Sequence, residues 1–210
     1  MAVLRAEGIE KGFHRGLPPR RRRIEVLRGA SLEVGRGELV GLVGENGSGK
    51  STLMKIVVGL LERDAGTIER AGKLGYCPQT PLLWEKLTVA EHFELFSRAY
   101  ELGPAEASSA TESLLSELQF ERYRDYRIED LSGGTRQKLN LALALMHSPD
   151  LLLLDEPYSG FDWETYLRFW EMSERRRDDG MGILIVSHLI SERDRLDRIY
   201  ELREGRCQET

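Results

Sequence analysis

Gly44-Glu45-Asn46-Gly47-Ser48-Gly49-Lys50-Ser51 is the stretch on which the reading of this chain turns. It fits the pattern G-x-x-x-x-G-K-[ST], which is a phosphate-binding loop only where a strand precedes it and a helix follows. Both flanks qualify. Leu39-Val40-Gly41-Leu42-Val43 is a short apolar run that reads as a buried strand. Leu53, Ile56, Val57 and Leu60 recur at helical spacing, which predicts a helix from about Lys50 with those residues on one face. Glycines let the backbone curl so that successive N–H groups point at phosphate oxygens, and the helix N-terminus adds partial positive charge. Gly44, Asn46, Gly47, Ser48 and Gly49 would form the cradle, with Lys50 reaching the β- and γ-phosphates. Ser51 would offer its hydroxyl to Mg²⁺, and Thr52 would donate to the α-phosphate.

Such a loop needs a carboxylate to hold the metal. Leu151-Leu152-Leu153-Leu154 is a second strand candidate, and Asp155 and Glu156 stand at its end. Strand alternation sends adjacent side chains in different directions, so the two acids can divide the work. Asp155 would serve the metal, and Glu156 would polarise an attacking water as general base. Ile183-Leu184-Ile185-Val186 is a third run without polar alternation. Strands apolar on both faces belong in the middle of a sheet covered by helices, so the chain is α/β with a mostly parallel sheet.

From Thr88 to Met146 the pattern changes to helices without a convincing strand. Val89, Phe93, Leu95, Phe96 and Tyr100 predict one, and Leu114, Leu115 and Leu118 a second. A third begins after Gly134, carries Leu139, Leu143 and Met146 on one face, and is stopped by Pro149. This stretch reads as a helical subdomain set into the α/β core.

Composition narrows the setting. With 210 residues the chain suits one domain, perhaps with a subdomain, and has no room for tandem domains of full size. Against 35 acidic residues stand 30 basic ones, a net charge of −5, so no specific nucleic-acid partner is expected. The apolar run at 141–146 is six residues long, whereas a membrane span needs roughly 20. The N-terminus is charged too early for a signal peptide. Cys77 and Cys207 lack metal-ligand spacing and read as free thiols of a reducing cytoplasm.

Between the two phosphate-site motifs lies Leu131-Ser132-Gly133-Gly134-Thr135-Arg136-Gln137-Lys138. This closely resembles the signature motif of ATP-binding cassette (ABC) ATPases. A Ser-Gly-Gly turn opening a helix is another anion-binding N-terminus. Other motifs follow in the family's order. Gln79 matches the glutamine loop, Asp162 the D-loop, His188 the switch histidine that contacts the γ-phosphate, and Phe13 the aromatic that stacks on adenine. The resemblance runs from Leu4 to Arg206.

It implies a P-loop NTPase core with a mostly parallel sheet, an N-terminal antiparallel β portion and an inserted helical subdomain. Residues 1–210 would be a single ABC ATPase domain, with 1–80 and 147–210 as the nucleotide-binding core and 81–146 as the helical part. The cofactors implied are ATP and Mg²⁺, the latter held by Ser51, Gln79 and Asp155. Catalysis would fall to Glu156, His188, Lys50 and Gln79. A second copy or a homologous subunit would pair head to tail, so that Ser132 and Gly134 reach the partner's ATP. A separate membrane permease is the other implied partner, which places the chain at the cytoplasmic face of the membrane.

The sequence departs from the family pattern at Thr135 and Lys138 in the signature, and at Tyr158 and Phe161 after the acidic pair. The segment from Arg15 to Arg23 is longer than the family's hairpin. It reads as a solvated loop, or as a basic finger touching lipid headgroups, an acidic partner or the nucleotide edge. Residues 87–93 resemble a segment frequent in exporters, and equally read as a helix start with Thr88 as N-cap. The chain ends soon after Arg206, without the regulatory domain of many importers, so export is the expected direction. A non-transport ABC ATPase, acting as a soluble scaffold or assembly factor, is the alternative.

Overall fold

The structure is a computed structural model that describes residues 1–16, 22–188 and 193–210. Two sheets organise it. Strands β1 (Ala2–Arg15), β2 (Arg22–Gly35) and β4 (Ala65–Arg70) form an antiparallel sheet in the order β2-β1-β4. The second sheet takes β3 (Leu39–Val43), β5 (Leu74–Cys77), β6 (Leu151–Asp155), β7 (Gly182–Val186), β8 (Arg198–Arg203) and β9 (Arg206–Glu209). Its order is β5-β6-β7-β3-β8-β9, parallel throughout except for β9. The expected α/β architecture with an antiparallel N-terminal part is therefore present.

The unalternated apolar runs have a direct cause. Successive strand residues face opposite sides of a sheet, and here both sides are covered. Val40, Leu42, Leu151, Leu153, Leu184 and Val186 pack with the antiparallel sheet and α1 (Lys50–Val57). Leu39, Leu152, Leu154, Ile183 and Ile185 pack instead with α2 (Val89–Ala99), α3 (Pro104–Glu117), α4 (Gly133–Leu145) and α5 (Trp163–Asp178). Each fully buried leucine contributes roughly 1.5–3 kcal/mol of transfer free energy, so neither face tolerates a polar residue cheaply.

The helices depart from the sequence expectations in detail. Helix α1 stops at Val57, so Leu60, expected on its apolar face, is 68% exposed. The cause is a Schellman-type turn at Gly59: the Gly59 N–H donates to the Ile56 carbonyl and the Leu60 N–H to that of Lys55. Leu95, counted with the inward-facing residues of α2, is likewise exposed. Helix α4 begins at Gly133 with Ser132 as its N-cap, and it ends at Leu145, ahead of Pro149. Its apolar surface is not confined to one face, because Leu139, Leu141, Ala142, Leu143, Ala144 and Leu145 are all buried. Helix α5 has no counterpart in the sequence reading. Asp162 caps it by accepting a 2.8 Å hydrogen bond from the Thr165 N–H.

Candidate functional site

Strand β3 delivers the chain into residues 44–49, and α1 carries it away. Gly49 sits at the N-cap with φ of 110°, a conformation that costs a side-chain-bearing residue strain. A Cβ there would also meet Val26 and Leu27 of β2 at 3.0 and 3.1 Å. The loop thus rests on the antiparallel sheet. Asn46, Gly47, Gly49, Lys50, Ser51, Thr52, Gln79, Asp155 and Glu156 line one cleft of about 300 Å³. Gly44 and Ser48 are not among the lining residues: a Cβ on Gly44 would come 2.9 Å from Ser48 Oγ and 2.6 Å from the Leu202 carbonyl.

Three features of the cleft suit a phosphate anion and a hard cation. Lys50 is largely buried, and its Nζ donates to the carbonyls of Gly44 at 2.6 Å and Glu45 at 3.0 Å. Burial lowers its pKa, while the charges of Glu156 and Asp155 act in the opposite sense. Beside the cleft, in the same loop, Ser48 Oγ is buried without a hydrogen-bond partner. Asp155 has its pKa raised, chiefly by burial and then by Glu156, while a hydrogen bond with Ser51 opposes the shift. The Ser51 hydroxyl, the Asp155 carboxylate and the Gln79 amide, all lining the cleft, make an oxygen-rich donor set.

The two acids diverge by a different device from the one expected. Strand β6 ends at Asp155, and Glu156 adopts φ of 50°, outside the strand. That left-handed turn, uncommon for a residue with a side chain, takes Glu156 out of the strand's alternation. Glu156 Oε2 accepts from Ser187 Oγ at 3.0 Å. Its Oε1 accepts from the His188 backbone N–H at 2.7 Å and lies 2.9 Å from His188 Nδ1. Since a carboxylate oxygen accepts, Nδ1 carries the hydrogen of that contact, and the His188 side chain is otherwise exposed.

The remaining sequence-predicted residues are not all in the cleft. Phe13 is 41% exposed on β1, with Lys11 Nζ 5.8 Å from its ring centroid, and does not line it. Val26, which the sequence reading passed over, does. Its signal is weak, since it sits where the β1–β2 register shifts. Ser132 and Gly134 open α4 elsewhere on the surface. Gly134 is sterically required: a Cβ would come within 2.4 Å of the Gly160 carbonyl. Ser132 Oγ accepts from the Thr135 N–H at 3.2 Å and lies 2.9 Å from the Thr135 hydroxyl. The departure from the family pattern at Thr135 therefore touches the signature serine directly.

Both cysteines are free. Burial pushes the Cys77 thiol far up, and that of Cys207 up to about 12, so both stay protonated at neutral pH. Of the basic segment, residues 17–21 lie outside the described residues. Arg23 folds back onto Asp64, with Nη2 3.0 Å from Oδ2.

Comparison with known proteins agrees with this geometry. The family model described as ABC transporter matches residues 27–159. The lipopolysaccharide export system ATP-binding protein LptB of Acidithiobacillus ferridurans is 35% identical, over 97% of this chain and 88% of its own length. The Nod factor export ATP-binding protein I of Burkholderia orbicola is 37% identical over 86% of this chain, and the match spans 64% of that protein. Among solved structures, an ATP-binding subunit of an ABC transporter aligns with a TM-score of 0.88 at 31% identity, covering 99% of this chain and 89% of its own. A dimeric post-hydrolysis cassette bound to ADP and Pi aligns with a TM-score of 0.87 at 25% identity, covering 99% and 97%. The chain therefore belongs to the ABC transporter family as an ATP-binding cassette, an ATPase.

Proposed function

We propose that this cassette powers a transporter whose membrane-spanning part is a separate polypeptide, and that it works by closing head to tail on a second cassette around ATP. One observation carries the reading. The chain holds two phosphate-seeking surfaces, the cleft at Lys50 and the α4 N-terminus at Ser132, and only the first lies in the cleft. A second subunit is what would bring a Ser132 to each cleft. Residues 1–210 would act as one cassette, with 81–146 as the part that moves between open and closed arrangements.

The roles follow from the geometry. Lys50 exchanges its two carbonyl acceptors for phosphate oxygens, and the α1 amides with the Thr52 hydroxyl take the remaining ones. Ser51, Asp155 and Gln79 would hold Mg²⁺, which neutralises charge on the phosphates. Glu156, oriented by Ser187 and His188, accepts the proton of the attacking water. His188 would reach the γ-phosphate through Nε2, which must then carry a second ring hydrogen to donate to a phosphate oxygen, the Nδ1 hydrogen being engaged by Glu156. Phe13 stacks on the adenine edge from the β1–β2 hairpin. ATP stabilises the closed pair only by the contacts made there, so loss of the γ-phosphate reopens it.

Among the described residues no helix is long and apolar enough to cross a membrane. Leu82 and Trp84, just beyond Gln79, are 75% and 54% exposed, which supports a docking surface for a membrane subunit at the cytoplasmic face. Export is supported by the relatives named for it. Residues 87–93 lend less, because Thr88 and Glu91 form a reciprocal capping box that accounts for both locally. The test is recovery of tagged chain from gently solubilised membranes. A protein with several hydrophobic segments of spanning length is expected to co-purify. Recovery of a wholly soluble chain without one would support the scaffold reading instead.

A further inference from the structure

The signature helix α4 and the segment bearing Gln79 serve different phosphate surfaces, yet a buried polar cluster ties them together. Helix α4 packs against β5, which ends at Cys77 and leads directly into Pro78 and Gln79. Asn140 of α4 is 6% exposed, and its Nδ2 donates to the Pro78 carbonyl at 2.8 Å. The same nitrogen lies 3.2 Å from Cys77 Sγ and 3.4 Å from Gln137 Oε1. Gln137 Nε2 in turn lies 3.7 Å from Cys77 Sγ. A carbonyl can only accept, so the bond to Pro78 fixes which end of the Asn140 amide faces the strand.

The place of this bond matters more than its strength. The Pro78 carbonyl and the Gln79 N–H belong to one rigid peptide plane. The proline ring fixes φ of Pro78, so the torsion that turns that plane on its N-terminal side is ψ of Pro78. A hydrogen bond to the Pro78 oxygen holds that torsion, and with it the peptide from which Gln79 leaves the strand end. Asn140 stands eight residues along α4 from Ser132, about 12 Å of helix. A shift of the signature helix moves the donor, and the donor moves the peptide that carries Gln79. Gln137 and Cys77 fill the rest of the cluster and leave the Asn140 amide no room to turn away.

We propose that Asn140 is a positioning residue that couples the signature helix to Gln79, so that the arrangement of one surface is felt in the other. The inference rests on the reading of Gln79 as a residue of the ATP site given above. It assigns Asn140 no contact with nucleotide. Breaking the bond should therefore spare binding and slow turnover.

A double-mutant cycle on the purified chain tests this. Asn140→Leu keeps the branched outline of the side chain and removes the donor, and Asn140→Ala serves if leucine does not fold. Either variant should bind an ATP analogue with a Kd within about twofold of the parent, while kcat falls roughly five- to tenfold, the size of one lost hydrogen bond at a reacting geometry. Adding the change to Gln79→Ala should cost no further rate, because the two residues act through one path. Three outcomes decide it. An unchanged kcat in the Asn140 variants, or losses that multiply in the double variant, overturns the coupling. A general loss of stability with kcat and Kd worsened together also overturns it, as a packing role alone. If Gln79→Ala by itself turns over at the parental rate, the assignment of Gln79 fails first, and the coupling fails with it.

Discussion

At the scale of single residues, Asp64 shows how the site is braced from outside it. Its carboxylate takes a hydrogen bond from the Gly12 N–H at 2.9 Å and ion pairs from Lys11 and Arg23, each at 3.0 Å. Those groups flank Phe13 on the hairpin. The Gly12 hydrogen bond, followed by Lys11, holds the Asp64 carboxyl below its ordinary value of 3.8. A depressed folded-state pKa means stabilisation that is complete above the unfolded value and is lost as pH falls through the folded one. Asp64→Asn should therefore be less stable than the parent at pH 7, with the gap in urea midpoint closing at pH below 3.8. A gap that stays constant with pH would show that the charge is not what braces the hairpin. Asp64 was not legible beforehand, because nothing local to residues 62–66 reveals that Lys11 and Arg23 converge on it. The phosphate loop was legible for the opposite reason: its whole chemistry lies in consecutive residues 44–52. Glu156 stood between the two. Its identity could be read at the strand end, but its left-handed backbone and its grip on Ser187 and His188 depend on β7 lying beside β6.

At the scale of elements, the interior strands β3, β6 and β7 could be read because burial on both faces leaves an apolar signature in the sequence. The outer strands carry less. β4 and β9 are mostly exposed, and the β1–β2 register shifts at several points, which breaks period-two alternation. Helix α5 escaped notice because polar residues outweigh apolar ones along it, although Asp162 marks its start. Helix α2 is the clearest case of local chemistry setting a boundary. Thr88 Oγ1 accepts from the Glu91 N–H at 3.1 Å while Glu91 Oε2 accepts from the Thr88 N–H at 2.7 Å. The cap also frames His92, whose Nε2 accepts from the Trp84 N–H at 3.0 Å. Thr88→Ala should cost about 1 kcal/mol, seen as a fall of roughly 2–4 °C in Tm. ATPase activity per folded molecule should not change in the isolated chain. A drop in kcat without a drop in Tm would mean that Thr88 belongs to the site and is more than a cap.

At the scale of the whole molecule, two cores share one parallel sheet and divide the labour. The core under the antiparallel sheet holds α1 and hence the phosphate loop, while the opposite core holds α4 and hence the signature turn. The sheet between them carries Asp155 at the end of β6, and Glu156 and His188 stand just past the ends of β6 and β7. This is why Asp155 and Glu156 meet the phosphate loop at the C-terminal ends of the central strands while Ser132 remains outside the cleft. The central claim is that a complete ATP site needs two cassettes and that Glu156 is the base that ends their embrace. Glu156→Gln keeps the size of the side chain and one accepting oxygen, and removes its capacity to take a proton. With Mg-ATP, the variant should run as a dimer by size-exclusion chromatography with light scattering, retain the nucleotide unhydrolysed, and return to monomer when ATP is withdrawn. A variant that stays monomeric with ATP bound, or that hydrolyses ATP at the parental rate, would contradict the account.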